Sequence, residues 1–120
     1  MKQILLYMSV LCLLNVPTWA QSTPQFFSAL NDIPLMVGLR EVPELTSTFD
    51  KPEGRIIESM ALIESVSVSE VKKFYAQTLP QMGWKYVGEG LFSRENEQLV
   101  LSFESERGQE FMKIMVRPSD

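Results

Sequence analysis

Glutamates are the residues of this chain whose type and spacing come closest to a catalytic pattern. Glu95 and Glu97 form one close pair, and Glu104, Glu106 and Glu110 form a second group. Two carboxyl groups facing each other across a cleft can hydrolyse a glycosidic bond, and clustered carboxylates can bind calcium. These glutamates fall at predicted hairpin turns and strand ends, where charged side chains are normally hydrated. We therefore expect a solvated surface.

The chain lacks the residue types on which most nucleophilic and metal chemistry depends. It contains no histidine, and its one cysteine is Cys12. Beyond Cys12 the sequence excludes disulfides, thiolate nucleophiles, imidazole bases and soft-ligand zinc or copper sites. No serine stands in a Gly-x-Ser-x-Gly turn. We expect no metal and no cofactor, and an enzyme is the less favoured class of function.

Three arginines could form an anion site if the fold brings them together. A guanidinium binds carboxylate or phosphate through two parallel hydrogen bonds, and Arg40, Arg55 and Arg94 are the candidates. Arg55 stands beside a turn that contains Asp50 and Glu53, so a local ion pair explains it more simply.

Three aromatic residues could line a ligand pocket. Phe74, Tyr75 and Trp84 could stack on a sugar or a peptide. We favour a packing role, in which Phe74 and Trp84 belong to the core and Tyr75 lies at its edge.

The first 20 residues have the layout of a signal peptide. Lys2 supplies the positive charge, an apolar run covers residues 4–16, and Pro17 precedes a small residue, Ala20. Cleavage is expected between Ala20 and Gln21. A permanent anchor would need about 20 apolar residues, more than this run provides. We expect a periplasmic or secreted protein, with no integral membrane span after processing.

Length and charge restrict the mature chain further. Removing residues 1–20 leaves 100 of the 120 residues, enough for one domain. The full chain has 11 basic and 15 acidic residues, and the loss of Lys2 leaves 10 basic residues, for a net charge of about -5. Because an acidic surface repels the phosphate backbone, we expect no nucleic-acid partner.

Residues 21–53 are predicted to form an N-terminal arm and loop. A short helix could start at residues 26–30, and residues 33–39 fit an extended edge segment because Pro34 and Gly38 interrupt them. Residues 40–52 are predicted to form a loop.

The domain proper is predicted to span residues 54–117. Residues 55–66 contain good helix formers but end in strict alternation, and we choose a strand. A helix then begins at Val68, because Ser67 and Glu70 have the spacing of a capping box. Pro80 and Gly83 mark its end.

After the helix, four short strands are predicted at residues 84–87, 91–93, 97–103 and 111–116. The expected fold class is α+β, in which one amphipathic helix packs on a small antiparallel sheet in the order β-α-β-β-β-β, preceded by an extended N-terminal arm. One sheet face should form the core, with Leu99, Leu101 and Phe103 on one strand and Met112, Ile114 and Val116 on the next.

The apolar residues outside this core are the candidate partner-binding residues. They lie on the arm and on the second face of the sheet, and comprise Phe26, Phe27, Leu35, Phe111 and Met115.

Several short motifs resemble a known group of proteins. The segment of residues 32–38, Phe74-Tyr75 on the helix, Gly83-Trp84 after it and Phe92-Ser93-Arg94 resemble a group of uncharacterised exported proteobacterial proteins. The resemblance spans roughly residues 32–116. It implies a small α+β fold and a location in the bacterial envelope, and it implies no activity.

Two classes of function follow. The first is a non-catalytic envelope module that binds an envelope protein or a cell-wall component, including a purely accessory protein of a larger assembly. The alternative is a carboxylate-dependent hydrolase that acts on cell-wall polymers, which requires two acids in one cleft.

Overall fold

The computed structural model of the chain describes residues 24–119 and confirms the α+β class. The predicted signal peptide, with its cleavage site at Ala20 and Gln21, lies outside these residues. No helix in the described part is both long and apolar enough to cross a membrane. The elements are β1 (Gln25–Phe26), β2 (Pro34–Leu35), β3 (Leu39–Glu41), β4 (Ser47–Lys51), β5 (Gly54–Ile63), α1 (Val68–Thr78), β6 (Lys85–Gly88), β7 (Leu91–Arg94), β8 (Glu97–Glu106) and β9 (Gln109–Pro118).

Seven of the strands form one antiparallel sheet in the order β3, β5, β9, β8, β7, β6, with β4 also paired to β5. β1 and β2 pair separately with each other. The predicted strand, helix and four-strand meander correspond to β5, α1 and β6 to β9. The buried core lies between one face of the sheet and the helix, as a sheet with one apolar face requires.

The segment with strong helix formers is a strand, as predicted. β5 pairs with β9 from Ile57 opposite Val116 to Ile63 opposite Glu110. Its alternate residues Ile57 and Ala61 are buried in the core. Burial of one face of an alternating pattern outweighs the weak intrinsic preference for helix.

The helix begins and ends where its capping residues predict. The Ser67 hydroxyl accepts a hydrogen bond from the Glu70 amide at 3.1 Å, and Glu70 accepts one from the Ser67 amide at 3.4 Å. A 3-10 turn over Leu79–Met82 extends the helix, and Gly83 stops it in the left-handed conformation at φ 92°.

Two predictions for the N-terminal part are wrong. Residues 40–52 are not a loop, because β3 and β4 pair with β5 along the side that β9 does not cover. The turn at Pro52 and Glu53 that suggested a loop instead closes the β4–β5 hairpin. Residues 26–30 do not start a helix: β1 ends at Phe26, and the chain then turns back into β2.

The N-terminal arm packs into the core. Phe27, Leu30 and Ile33 are at most 1% exposed and belong to the same apolar cluster as the helix and sheet. The buried Tyr75 hydroxyl donates to the Pro34 carbonyl at 2.7 Å and accepts from the Met36 amide at 3.2 Å. The arm is thus held by the helix that it covers.

Ser59 is a buried polar residue without a partner. It lies on the core face of β5, is 0% exposed, and its hydroxyl makes no hydrogen bond within the described residues. A buried unsatisfied hydroxyl costs about 1–3 kcal/mol. We expect Ser59→Ala to raise the free energy of unfolding by about 1 kcal/mol, measured by urea denaturation.

Ser102 is the matched control for this prediction, because it lies on the outer face of β8 and is half-exposed. Ser102→Ala should change stability by less than about 0.5 kcal/mol. A loss of stability in Ser59→Ala would show that the hydroxyl has a partner.

Candidate functional site

The lengths of the strands create an opening in the sheet. β8 and β9 are each ten residues long, whereas β6 and β7 have four residues each. β7 therefore covers β8 only from Glu97 to Val100, and the turn before it makes one further contact, from the Leu101 amide to the Gly90 carbonyl at 2.8 Å. Gly90 has φ +71°, and a Cβ there would lie 2.7 Å from the Leu101 carbonyl oxygen, so the turn approaches β8 as closely as only glycine allows.

Beyond this contact, β8 has an open stretch, residues 102–106, that pairs with β9 alone. The backbone groups of an antiparallel strand point alternately to its two neighbours. Because the Leu101 amide points away from β9, those of Phe103 and Ser105 do so as well. Within residues 24–119 no strand lies beside them.

A cleft of about 440 Å³ adjoins the open stretch on the core face. This volume lies in the usual range for ligand sites. Its floor is apolar and its rim is polar and aromatic, with Lys72 and Ala76 on the helix, Leu101 and Phe103 on β8, and Tyr86, Glu89 and Gly90 on the β6–β7 side. Such a lining suits an apolar side chain of a bound peptide, whose backbone groups remain hydrated or hydrogen-bonded.

The aromatic and charged groups at the rim remain accessible. Tyr86 is 56% exposed and packs edge-on against Phe92, with ring centroids 5.7 Å apart. Lys72 Nζ lies 5.5 Å from the centre of the Phe103 ring and 3.5 Å from a Glu89 carboxylate oxygen. Both charged side chains are more than half exposed, so their ion pair is weak and can rearrange around a ligand.

A second groove, of about 560 Å³, lies between the arm and the helix. Its lining includes Pro24, residues 34–39 and Phe74, and it is mainly apolar. Leu35, one of the candidate partner-binding residues, lies here.

The three aromatic residues do not line one pocket. Trp84 and Tyr75 are buried in the core, at 1% and 0% exposure, and burial raises the pKa of Tyr75 above its ordinary value. Tyr75 is fully buried rather than at the core edge. Phe74 is half-buried, borders the second groove and packs edge-on against Tyr75.

The three arginines do not converge on an anion site, because each is held by a carboxylate of its own. The pairs are Arg40 with Glu64 at 3.0 Å, Arg55 with Glu97 at 3.0 Å and Arg94 with Asp32 at 2.8 Å. The hydrogen bond to Glu97 raises the pKa of Arg55, and the partner predicted for Arg55 in the adjacent turn is wrong. Arg94 also donates to the Met82 carbonyl and lies 4.2 Å from the centre of the Trp84 ring.

Two of the five candidate glutamates are partners of basic residues in the described part of the chain. Glu97 binds Arg55, and Glu104 lies 3.3 Å from Lys113. Across the described residues no three acidic side chains are grouped as metal ligands. Glu64 and Glu110 share a third concavity, but Glu64 is bound to Arg40 and 46% of its side chain is exposed.

The candidate partner-binding residues have different surroundings. Phe27 is 1% exposed, so proposing it as a contact residue was wrong, whereas its neighbour Phe26 is 43% exposed. Phe111 and Met115 are half-buried on the outer face of β9, opposite Leu62 and Glu58 of β5. Leu62 on the same face is only 7% exposed, so part of this face is shielded from solvent.

Sequence reasoning did not single out the cleft or Tyr86. The signal was present in the strand lengths, since two short predicted strands were followed by two longer ones. A short hairpin beside a long one must leave part of the long strand uncovered.

Comparisons with known protein families, with curated proteins and with solved structures find no match to this chain.

Proposed function

We propose that this chain is a non-catalytic binding module of the bacterial envelope, which holds a partner protein at the cleft beside the open stretch. The location is supported by the signal-peptide pattern of the first 20 residues and by the resemblance to exported bacterial proteins. The binding role is supported by the geometry of the sheet.

One observation carries the proposal: an apolar-floored cleft adjoins unpaired backbone of the same sheet. Proteins normally cover or blunt such edges, because an unpaired strand invites association. Here Tyr86, an aromatic residue that lines the cleft, also remains 56% exposed. A partner that covers this surface would bury apolar area and pair backbone groups together.

The hydrolase alternative has less support. A glycosidase needs one carboxyl group kept protonated by an apolar environment and a second one facing it. Glu64 and Glu110 share a concavity in the described part of the chain, but Glu64 is hydrated and bound to Arg40, and Glu110 is exposed. Neither glutamate therefore has the surroundings that a general acid requires.

Photo-crosslinking in the cell tests the proposal. The full chain is expressed in a bacterium with p-benzoylphenylalanine in place of Tyr86, on the wall of the cleft. Irradiation should yield an adduct with a discrete envelope protein, identified by mass spectrometry. Filling the cleft with Ala76→Trp should reduce the adduct about tenfold, because the added indole occupies the space of the bound side chain.

Gln77→Trp is the matched control, since Gln77 is an exposed neighbour on the same helix and does not line the cleft. It should leave the adduct unchanged. Equal loss with both tryptophan variants, or an adduct that neither variant reduces, would contradict the proposal. Crosslinking to a polysaccharide instead of a protein would replace the protein partner by a cell-wall component.

A further inference from the structure

We infer that the open stretch binds its partner by strand addition: an extended peptide segment pairs with residues 102–106 and places one large apolar side chain in the cleft. The inference rests on the proposed function and names the chemistry of its partner. The segment carries basic residues on the side that faces the outer surface of the sheet.

The hydrogen bonds at the two ends of the open stretch show which of its backbone groups point away from β9 and can pair with an added strand. At one end the Leu101 amide donates to Gly90, away from β9. At the other, Glu106 pairs with Gln109 across a two-residue turn, with φ 54° at Arg107 and 78° at Gly108. Residues closing such a turn bond to each other. Both ends therefore give the same alternation, in which Phe103 and Ser105 present their amides and carbonyls outward.

The opening has the dimensions of a short strand. Five residues of strand span about 17 Å. The Gly90 turn bounds this opening at one end and the β8–β9 turn at the other. An added strand that runs antiparallel to β8 would lie in line with β7, at the ordinary distance between neighbouring strands.

The cleft selects one side chain of the added strand. The residue opposite Phe103 points to the same face of the sheet as Phe103, which is the core face. Its side chain enters the cleft above Leu101 and Phe103, with the Tyr86 ring alongside. A large apolar or aromatic side chain fits this space, because it buries the apolar floor and stacks on an exposed ring.

The charges on the other face favour a basic segment. Glu104 and Glu106 lie two residues apart on the outer face of β8, and both are exposed. Lys113 contacts Glu104, whereas no salt bridge to Glu106 is found in the described chain. A lysine or arginine opposite Glu104 reaches both carboxylates. The net charge of -4 adds a general preference for cations.

Two other edge strands of the sheet, β6 and β4, lack this combination. β6 is four residues long, begins with Lys85 and has a bulge between Tyr86 and Gly88, all of which discourage pairing. β4 has five exposed or half-exposed residues, but none of them lines a cleft. The open stretch of β8 offers unpaired backbone and a side-chain site together.

The test uses the protein purified after expression of the full chain, and a labelled peptide, acetyl-Lys-Thr-Lys-Phe-Thr-amide. In antiparallel register this peptide places lysines opposite Glu106 and Glu104 and phenylalanine opposite Phe103. Binding is followed by fluorescence polarisation and by amide exchange. We expect saturable binding that slows exchange of the Phe103 and Ser105 amides about tenfold and leaves the β4 amides unchanged.

Variants of the protein and of the peptide distinguish backbone pairing from nonspecific binding. Ser105→Pro removes an outward amide without removing a bond to β9, and should weaken binding about tenfold, whereas Ser105→Ala should not. A peptide methylated on the phenylalanine nitrogen loses the neighbouring bond of the same ladder, from that amide to the Phe103 carbonyl, and tests pairing with the wild-type protein whether or not the proline variant folds. Replacing the peptide's phenylalanine with alanine should weaken binding about tenfold, and replacing its lysines with glutamates should do the same.

The outcomes distinguish this inference from the proposed function. Binding that survives both Ser105→Pro and backbone methylation, or that leaves the Phe103 and Ser105 amides unprotected, overturns strand addition. Absence of peptide binding, while crosslinking from position 86 still depends on an open cleft, also overturns strand addition and leaves the protein-binding role standing. Loss of that crosslink as well would overturn both.

Discussion

Phe27→Ala is expected to lower the free energy of unfolding by about 3–5 kcal/mol, the range for removal of a fully buried aromatic ring. The side chain is 1% exposed and packs in the same cluster as the helix and the sheet. Urea denaturation followed by tryptophan fluorescence would measure the loss, because Trp84 belongs to that cluster. A loss of this size amounts to much of the stability of a small domain.

Phe26→Ala is the control for this substitution, one residue away and 43% exposed. It should cost less than about 1 kcal/mol, as surface substitutions usually do. If the two variants lost equal and small amounts, the arm would be peripheral to the fold, and its apolar residues would again be available to a partner. The pair therefore decides between a structural and a binding role for the arm.

Tyr75→Phe is expected to lower the free energy of unfolding by about 2 kcal/mol at neutral pH, because two backbone groups lose their partner. The hydroxyl donates to the Pro34 carbonyl and accepts from the Met36 amide. Pro34 is buried, so water cannot easily replace the lost donor. Urea denaturation of the two proteins at pH 8 gives the difference.

The effect of Tyr75→Phe on the free energy of unfolding also depends on pH, in a direction that follows from the raised pKa of Tyr75. Burial raises the pKa of Tyr75 in the folded protein, whereas in the unfolded chain it has the ordinary value of about 10. The stabilisation is therefore complete below about pH 10 and decreases above it, since only the unfolded tyrosine releases its proton. At pH 11 the wild type should lose about 1.4 kcal/mol through this residue, and Tyr75→Phe should lose none of it.

The measured quantity is thus the difference in unfolding free energy between wild type and Tyr75→Phe at pH 8 and pH 11. This difference should shrink as the pH rises. A constant difference would mean that the Tyr75 hydroxyl is hydrated in the folded protein, and that the arm does not exclude water from it.

The relation between the arm and the helix has a functional consequence. Tyr75 and Phe27 hold the arm on the core. The arm is therefore not a flexible segment that can bind a partner by itself, and a partner has to bind to surfaces that the fold leaves open. The cleft beside β8 is such a surface, since it combines exposed aromatic area with unpaired backbone. The outer face of the sheet offers half-buried residues such as Met115.

Local patterns predicted much of the fold. The capping box at Ser67 and the left-handed Gly83 define the helix through contacts within a few residues. The alternation of apolar residues predicted the core residues of β8 and β9, because successive side chains of a strand point to opposite faces of the sheet. The strand over residues 55–66 was predicted from Ile56-Ile57 at its start and from alternation at its end, although the alternating residues 65–68 lie beyond the last residue of β5, Ile63.

The errors fall where long-range contacts decide. Nothing near residues 40–52 shows that one side of β5 is open to them, so a stretch with turn residues reads as a loop. Phe26 and Phe27 are alike in sequence, and only the packing of the arm separates a surface residue from a core residue. Likewise, an arginine's carboxylate partner can lie far away along the chain, as Asp32 does for Arg94.

By itself the sequence determined the fold class, the helix, the meander and the chemistries that a chain without histidine cannot perform. These follow from residue types and from periodicities that neighbouring residues set. Only the tertiary structure decided that the arm is part of the core, that Arg40, Arg55 and Arg94 are each paired with a carboxylate, and that a short hairpin leaves backbone of β8 open beside a cleft. The reason is physical: burial, pairing and open edges depend on which distant segments meet, and local patterns do not encode that.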